Sequence, residues 1–352
     1  MRVEYQVTQS PKKPMSLSEY QDAPAVAPAD RERRLQLVRQ FGTFTQAYST
    51  AVQPGLEYFW LGDTYLAFRR KWGIACVLAD PVGPSETHGP LLAAFIRSYP
   101  KNCFWQISRG TATLLQEQGF WINEMGCDTR LDLVRYDFAG KKKERLRHAS
   151  NWLNKHNYVV REGTFASDVS EDEIRRLSDQ WQAERRTTRD VYFFNRPIVF
   201  ADEVDVRKFF LFSSSGDPEA FIFFDPIYRA GAAVGYSPAI KRRLPDAPLR
   251  AEEGIMKLAI EQFQREGIER VMLGLSPMAG ITDSEFRANP LIHFSWSRAL
   301  NAWWINRYFY NLTGHADFKR RFDGQEEHTY YASKCLFNDV RVVASLKLAG
   351  AL

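Results

Sequence analysis

The sequence lacks the long apolar segments that membrane-spanning and secreted proteins carry. No apolar run approaches the ~18 residues of a transmembrane helix, and the first residues, MRVEYQVTQSPKKP, lack the apolar core of a signal peptide. We therefore predict a cytoplasmic chain. Any contact with a membrane is expected to be peripheral, at the inner face.

Cysteines and histidines are few, and neither type is spaced like a metal site. The four cysteines, Cys76, Cys103, Cys127 and Cys335, lie far apart in mostly apolar contexts, which predicts buried free thiols in a reducing compartment. The six histidines have no ligand spacing with acids or cysteines. The sequence therefore predicts neither a metal nor a tightly bound cofactor.

Basic residues are unevenly distributed. The net charge is +5, and many lysines and arginines occur in clusters. Such clusters suit phosphate-bearing partners, either nucleic acid or anionic lipid headgroups, although a solvated helix face is the simpler reading of any one of them. The clusters are Lys141 to Lys143 with Arg145 and Arg147; Arg185, Arg186 and Arg189; Lys241 to Arg243 with Arg250; and Lys319 to Arg321.

Length and periodicity predict two similar domains. With 352 residues and 45% hydrophobic composition, two domains are the default expectation. We predict a polar tail over residues 1–30, a first domain over 31–139 and a second over 140–352. In each domain a meander of strands leads through a turn to a helix and a strand, as in VLADPVGP before CFWQIS and GYSPAI before VMLGLS. This repeat indicates an α+β fold present twice, as two mixed sheets flanked by helices, with a cleft between the copies. Ser170 and Glu173 predict a capping box at the start of a helix in the second half.

The second copy contains the segment with the clearest chemical meaning. From Arg250 to Gly280 the sequence reads as a turn, an amphipathic helix and a buried strand, and the helix is predicted to begin just after Gly254. A helix start there would present unpaired N–H groups that suit a phosphate or a developing oxyanion. An ordinary strand–helix–strand packing unit explains the same pattern.

Several segments resemble one known family. They are GKKKERLRHASNWLNKHNYVV, LSDQW, YSPAIKRRLPDAP, GIMKL, LGLSPMAG and YNLTGHADFKRRF, which together span Gly140 to Phe322. With Asp80 to Gly83 in the first half, they resemble the cytosolic C-terminal domain of the phosphatidylglycerol lysyltransferase and alanyltransferase family. The resemblance implies tandem GNAT folds similar to the Fem peptidyltransferases. It also implies transfer of an aminoacyl group from aminoacyl-tRNA, as co-substrate, to a lipid headgroup hydroxyl.

The chain departs from this family at two acidic positions. Members commonly carry an acid three residues before an arginine, where this chain has Ala239 and Arg242, and an Asp after the methionine of the glycine turn, where it has Lys257. Two acids suited to binding an amino group are therefore missing. One alternative keeps the fold but takes an acyl-CoA or acyl-carrier-protein donor, although the Arg/Gln-x-x-Gly-x-Gly/Ala signature after Arg250 is incomplete. A second alternative is an inactive module that binds tRNA or anionic membrane.

Candidate reacting groups lie around the glycine turn. Transfer from an activated ester requires positioning, an oxyanion donor and a proton acceptor, but no covalent nucleophile. We predict catalytic roles for Arg242 as oxyanion or phosphate donor, and for Asp246 and Glu253 as proton acceptor or amine-binding acid. The alternatives are surface salt bridges and complementation of the helix dipole. The predicted substrate-binding residues nearby are Tyr236, Arg250, Gly254 and Ser276.

The ADFKRRF motif supplies further candidates. The resemblance implies that Lys319 is a catalytic lysine that contacts the phosphate of the lipid or of the tRNA end, with Arg320 and Arg321 beside it as substrate-binding residues. His315 is a further substrate-binding candidate that could serve as a base, although an exposed turn histidine is the simpler explanation. The residues predicted to bind tRNA or lipid phosphate are Lys141, Lys142, Lys143 and Arg145.

An aromatic segment late in the chain suits a lipid-facing surface. HFSWSRALNAWWINRYFYNL interleaves rings with arginines, which is typical of a membrane interface, and packing of a helix against the sheet explains the rings equally well. The residues concerned are Trp296, Trp303, Trp304, Tyr308 and Phe309, with Arg298 and Arg307.

Overall fold

The computed structural model describes residues 28–184, 192–282, 284–302, 311–336 and 339–350. Three sets of residues discussed above lie outside these ranges. They are the tail up to residue 27, the cluster of Arg185, Arg186 and Arg189, and the aromatic residues from Trp303 to Phe309.

The strands of the described chain are rich in aromatic and β-branched residues, which fit a pleated, half-buried surface. They are β1 (Glu57–Leu61), β2 (Thr64–Lys71), β3 (Ile74–Val82), β4 (Asn102–Ile107), β5 (Trp121–Asp132), β6 (Val159–Glu162), β7 (Arg207–Phe212), β8 (Pro218–Arg229), β9 (Ala232–Arg243), β10 (Arg270–Pro277) and β11 (Gln325–Ser333).

Helices cover both faces of these strands. Several begin at side chains that cap them, as where Ser170 and Glu173 form the predicted capping box. The helices are α1 (Pro28–Phe41), α2 (Ala47–Val52), α3 (His88–Ser98), α4 (Arg109–Glu117), α5 (Glu144–Lys155), α6 (Glu171–Ala183), α7 (Ala251–Arg265), α8 (Pro290–Ala299), α9 (Leu312–Arg320) and α10 (Asp339–Leu348).

All the strands form one continuous sheet, in the order β1-β2-β3-β4-β11-β5-β10-β9-β8-β7-β6. The predicted α+β, GNAT-like fold is confirmed, but its two expected sheets are joined into one. The physical reason is the antiparallel pairing of β5 with β10, from Asp132 opposite Arg270 to Gly126 opposite Pro277. This pairing satisfies the backbone groups that two separate sheet edges would leave exposed.

The sheet is nearly symmetric about its centre. β3 and β4 form a parallel pair joined through α3, and β9 and β10 form a parallel pair joined through α7. β11, from the end of the chain, lies between β4 and β5, so it fills a position in the first half of the sheet. The structure therefore contains the predicted repeat, with its central strands exchanged between the copies. The boundary at residues 139 and 140, between β5 and α5, stays a prediction.

Apolar side chains bury both faces of the sheet. One cluster packs α3 and α4 on the first half, with Phe95 and Leu115, and a second packs α5 and α7 on the second half, with Leu153 and Phe263. A third, larger cluster combines residues of both halves on the remaining face. Burial of this shared face holds the copies together.

A buried ionic cluster ties the segment before β7 to the sheet. The Arg196 guanidinium donates to Asp225 in β8 at 2.7 Å and to Glu203 at 2.9 Å, and its side chain is 1% exposed. Burial raises the pKa of Glu203, and Arg196 opposes that shift. Nothing in the local sequence pattern indicates this cluster, because its members belong to separate segments.

Candidate active site

The parallel strands β9 and β10 separate soon after they meet. Within the described chain they pair only at Gly235 with Arg270 and at Tyr236 with Val271. β9 then continues beside β8, and β10 continues beside β5. Edge groups in such an opening can hydrogen-bond an extended ligand.

A bulge in β10 lies just beyond this separation. The register with β5 shifts between Met272 and Leu275, and Gly274 has a φ of 81°, which suits only glycine without strain. The Lys319 Nζ, from α9, donates to the carbonyl oxygens of Gly274 and Leu275, both at 2.5 Å. Lys319 therefore fixes the shape of the bulge.

The Lys319 side chain is almost fully buried. Burial lowers its pKa to about 7, while the Asp128 carboxylate raises it and Lys241 lowers it further. A substantial fraction of Lys319 is therefore neutral near pH 7. The sequence identified this lysine, but its neighbours come from strands that are distant in the chain.

Asp128, in β5, is the buried acid whose charge raises the pKa of Lys319. Its Oδ2 accepts from the Thr45 Oγ1 at 2.6 Å. Burial raises its pKa, and Lys319 and Thr45 oppose the shift. The sequence analysis missed Asp128, because one acid within a strand has no spacing pattern that marks it as part of a site.

The predicted helix start at Gly254 is wrong. α7 begins at Ala251, and the Gly254 N–H donates to the Arg250 carbonyl at 3.0 Å, within the helix. A Cβ on Gly254 would lie 2.1 Å from the Leu153 Cδ1 of α5. The glycine therefore permits close helix packing and does not present its N–H to a ligand.

Glu253 brings together cations from two other helices. This buried carboxylate lies 3.3 Å from the Arg145 Nε at the start of α5 and accepts from the Arg321 Nη1 at 2.5 Å, just after α9. Two arginines thus share one buried acid, which fixes their positions. The structure unites three candidates that the sequence placed in separate motifs.

Further cations surround this contact. Lys142 donates to Asp323 at 2.7 Å and is 74% exposed, and Arg320 pairs with Asp317 at 3.2 Å and is half-exposed. Arg250 is exposed and lies 5.3 Å from the Trp152 ring centre. We call Lys142, Arg145, Arg250, Arg320 and Arg321 the cationic rim. Its charges suit phosphate groups.

Two predicted residues face away from the rim. Arg242 is buried beside α6, where it donates to the Ser178 Oγ and lies 4.7 Å from the Trp181 ring centre. Tyr236 stacks on Phe263 of α7 at 4.6 Å, and burial raises its pKa. Both residues therefore have packing partners in this structure, and their predicted roles in transfer stay predictions.

The remaining candidates are spread around the same region. Asp246 is exposed in the β9–α7 connection, Ser276 is buried in β10 opposite Cys127, and His315 is half-buried in α9. Lys141 is exposed, whereas Lys143 donates to the Asp137 carbonyl at 2.8 Å. Their predicted roles stay predictions.

Two groups near the end of β10 had no sequence signal. Glu124 in β5 accepts from the Thr282 N–H at 2.7 Å, and its Oε1 lies 3.6 Å from the His328 Nδ1 in β11. His328 is also 3.7 Å from the Cys127 sulfur, whose pKa burial raises to about 12. The pairing of β5 with β11 brings Glu124, Cys127 and His328 together.

The described ranges contain neither a metal site nor a membrane-spanning helix. There, no group of three or more His, Cys, Asp or Glu side chains could hold a metal ion. No helix in those ranges has both the length and the apolar content to cross a bilayer.

Comparisons with known proteins identify the family. The model of the phosphatidylglycerol lysyltransferase C-terminal family matches residues 35–333. The phosphatidylglycerol lysyltransferase of Bacillus subtilis is 26% identical over 284 residues, which are 77% of this chain and 31% of that protein. The chain thus spans about a third of the length of the curated relatives it matches.

Solved structures share the fold. L-PGS from Bacillus licheniformis superposes with a TM-score of 0.73 at 18% identity, over 90% of this chain and 95% of that one. The C-terminal domain of a putative lysylphosphatidylglycerol synthetase from Agrobacterium fabrum gives 0.74 at 19% identity, over 92% and 98%. On the family match, this chain belongs to the phosphatidylglycerol lysyltransferase C-terminal family.

Proposed function

We propose that this chain is an acyltransferase that moves an aminoacyl group from aminoacyl-tRNA to a headgroup hydroxyl of a phosphatidylglycerol-like lipid, as a peripheral protein at the inner face of the membrane. The observation that carries the proposal is the family match over residues 35–333, a range that includes the β10 bulge, Lys319 and the cationic rim.

The chemistry requires little beyond positioning and proton transfer. The lipid hydroxyl oxygen attacks the ester carbonyl, the bond to the tRNA ribose oxygen breaks, and the hydroxyl proton passes to the departing oxygen. Lys319 is suited to carry this proton, because a pKa of about 7 allows it both to accept and to donate near neutrality.

The cationic rim suits the phosphates of both substrates. Arg145 and Arg321 are held by the buried Glu253, so they are oriented before a ligand arrives. Lys142 and Arg320 are more exposed and add charge around them. We assign the rim to the acceptor end of tRNA, to the lipid phosphate, or to each in turn.

The acyl-CoA alternative receives less support from the same helix. A pyrophosphate at the start of α7 would need close access to the backbone at Gly254, but Leu153 covers this glycine. The Gly254 N–H also donates to the Arg250 carbonyl within the helix, so it is not presented to an anionic cofactor. We therefore favour aminoacyl-tRNA as the donor.

A transfer assay tests the proposal. The full chain is mixed with each aminoacyl-tRNA in turn and with phosphatidylglycerol vesicles, and the extracted lipid is analysed by mass spectrometry. We expect one or a few aminoacylated lipids, and at least a tenfold loss of rate in Lys319→Met, roughly the low end of the range for an acid–base group. Arg33→Gln, a remote exposed cation paired with Asp63, is the matched control and should retain the rate.

The competing results are distinct. If product forms from acyl-CoA or an acyl carrier protein but from no aminoacyl-tRNA, the donor is a thioester and the proposed donor is wrong. Binding of tRNA or vesicles without any product from all these donors would make the chain a binding module.

A further inference from the structure

α8 is apolar on both sides, although the core occupies only one of them. Ile292 and Trp296 are buried, whereas Leu291 is 53% exposed and Phe294 is 61% exposed. Leu291, Phe294 and Arg298 follow each other at helical spacing on the exposed side. Core packing explains the buried stripe, but among the described residues it leaves the exposed stripe without a packing role.

Another exposed apolar residue, Leu336, lies beside the start of this helix. The Asn289 side chain, which caps α8, donates to the Leu336 carbonyl at 2.7 Å and to the Cys335 carbonyl at 3.1 Å. This contact holds the segment after β11 against α8. Leu336 is 39% exposed there, so it extends the apolar surface beyond the helix.

Cations surround this apolar surface. The Arg298 guanidinium lies 3.8 Å from the Phe294 ring centre, and the Arg287 guanidinium lies 3.9 Å from that of Trp121. Lys334 directly follows Ser333, which pairs with Trp121, and its Nζ lies 4.9 Å from the Phe120 ring centre. We call Leu291, Phe294 and Leu336, with Arg287, Arg298 and Lys334, the α8 patch.

We propose that the α8 patch docks this chain on an anionic lipid bilayer. Exposed leucine and phenylalanine side chains enter the boundary between headgroups and acyl chains, and the surrounding cations contact anionic headgroups. Arginine and lysine stems laid along aromatic rings keep their charges at the level of the headgroups. The inference deepens the proposed function, on which it rests, because docking would bring the acceptor lipid to the protein.

Vesicle binding tests the docking surface directly. The full chain is titrated with phosphatidylcholine vesicles that contain or lack phosphatidylglycerol, and bound protein is measured by co-sedimentation. The double variant Leu291→Ser, Phe294→Ser should require about tenfold more lipid for half-binding, since two apolar side chains no longer insert. Its thermal unfolding midpoint should stay close to that of the unchanged chain, because both side chains are exposed.

A matched control comes from the other end of β5. Val134 is 79% exposed, two residues beyond the end of the strand that begins at Trp121. Val134→Ser removes exposed apolar surface far from the α8 patch and should leave vesicle binding unchanged. Equal lipid requirements for the double variant and the unchanged chain would overturn the docking surface. Equal binding to vesicles with and without phosphatidylglycerol would overturn it too.

Transfer measurements separate this proposal from the proposed function. With aminoacyl-tRNA as donor, the double variant should lose transfer to phosphatidylglycerol in vesicles but retain transfer to a short-chain, dissolved phosphatidylglycerol. If the unchanged chain binds vesicles through the patch and transfers nothing, the docking surface stands and the proposed reaction fails. If the double variant transfers normally to phosphatidylglycerol in vesicles, the proposed reaction stands and the docking surface fails.

Discussion

Gly254 in α7 faces Leu153 in α5 so closely that a methyl group on the glycine would lie 2.1 Å from the leucine Cδ1. Leu153 is 1% exposed, and its Cδ1 would have to shift to admit the methyl group. α5 begins at the cationic rim and α7 carries Glu253 in its first turn. The spacing of the two helices therefore also sets where Arg145 meets its acid.

We expect Gly254→Ala to destabilise the chain by about 1 kcal/mol. Overpacking against Leu153 costs about 1–3 kcal/mol, and replacing glycine with alanine inside a helix returns up to about 1 kcal/mol. Urea unfolding measures the net change in the free energy of unfolding.

Leu153→Ala supplies the control through a double-mutant cycle. The smaller side chain should make room for the methyl group that Gly254→Ala adds, so the two substitutions together should destabilise the chain by less than the sum of their separate effects. Strictly additive effects would contradict a direct steric contact.

Lys319 should give stability a measurable pH dependence. Its pKa falls from 10.5 in the unfolded chain to about 7 in the fold, so unfolding takes up a proton between these values. The free energy of unfolding of the natural chain, relative to Lys319→Met, should therefore rise with pH from about 7 to 10.5, by about 3–5 kcal/mol at most.

Urea unfolding of both proteins at a series of pH values checks this difference. Below pH 7 lysine is charged in both states, so the difference should be flat. A difference that stays flat between pH 7 and 10 would mean that the fold does not lower the pKa of Lys319.

Local sequence patterns predicted elements whose signals are local. The capping box of Ser170 and Glu173 is one case, because both partners lie in a single turn. β11 was missed because its first half, QEEH, is polar and largely exposed, and it becomes a strand only through pairing with β4 and β5. Gly254 was misread for a related reason, since the residue that requires a glycine there lies in another helix.

The cationic rim should control the salt dependence of tRNA binding. Each lysine or arginine that contacts a phosphate contributes about 0.7–0.9 to the slope of log affinity against log salt concentration. Lys142→Gln with Arg145→Gln should therefore reduce the slope by about 1.4–1.8. Binding of tRNA over a series of salt concentrations measures it.

Arg33→Gln is the control for this measurement too. Arg33 is an exposed cation that pairs with Asp63 in the turn after β1, and its removal should leave the slope unchanged. An equal loss of slope in both variants would indicate diffuse charge attraction and no defined rim.

Arg196→Met should be among the most destabilising single substitutions. It leaves Asp225 and Glu203 buried without their cation, and removal of one partner from a buried ion pair costs about 3–5 kcal/mol. Urea unfolding, or loss of soluble expression, would report it.

Arg109→Met is the matched comparison. Arg109 also forms two hydrogen bonds to one carboxylate, Glu285, but on an exposed surface. Water solvates that carboxylate after the substitution, so little change in stability is expected. Similar losses in the two variants would contradict the role of burial at Arg196.

Sequence motifs marked individual charged residues, but they did not indicate the long-range contacts between them. Lys319, Arg321, Glu253 and Arg145 were each identified from their own segments, but their meeting depends on three helices. Asp128 and Glu124 were missed because a single acid within a strand has no spacing pattern to mark it. Their burial follows from the two neighbouring strands, which come from distant parts of the sequence.

The position of β11 has a consequence for biosynthesis. As the protein leaves the ribosome, β4 and β5 are made long before their shared neighbour, which spans Gln325–Ser333. Until then β4 and β5 each have an unpaired edge on the side that β11 later occupies. Chaperones or unrelated chains can bind these edges. Completion of the first half of the sheet thus waits until Gln325–Ser333 has been translated.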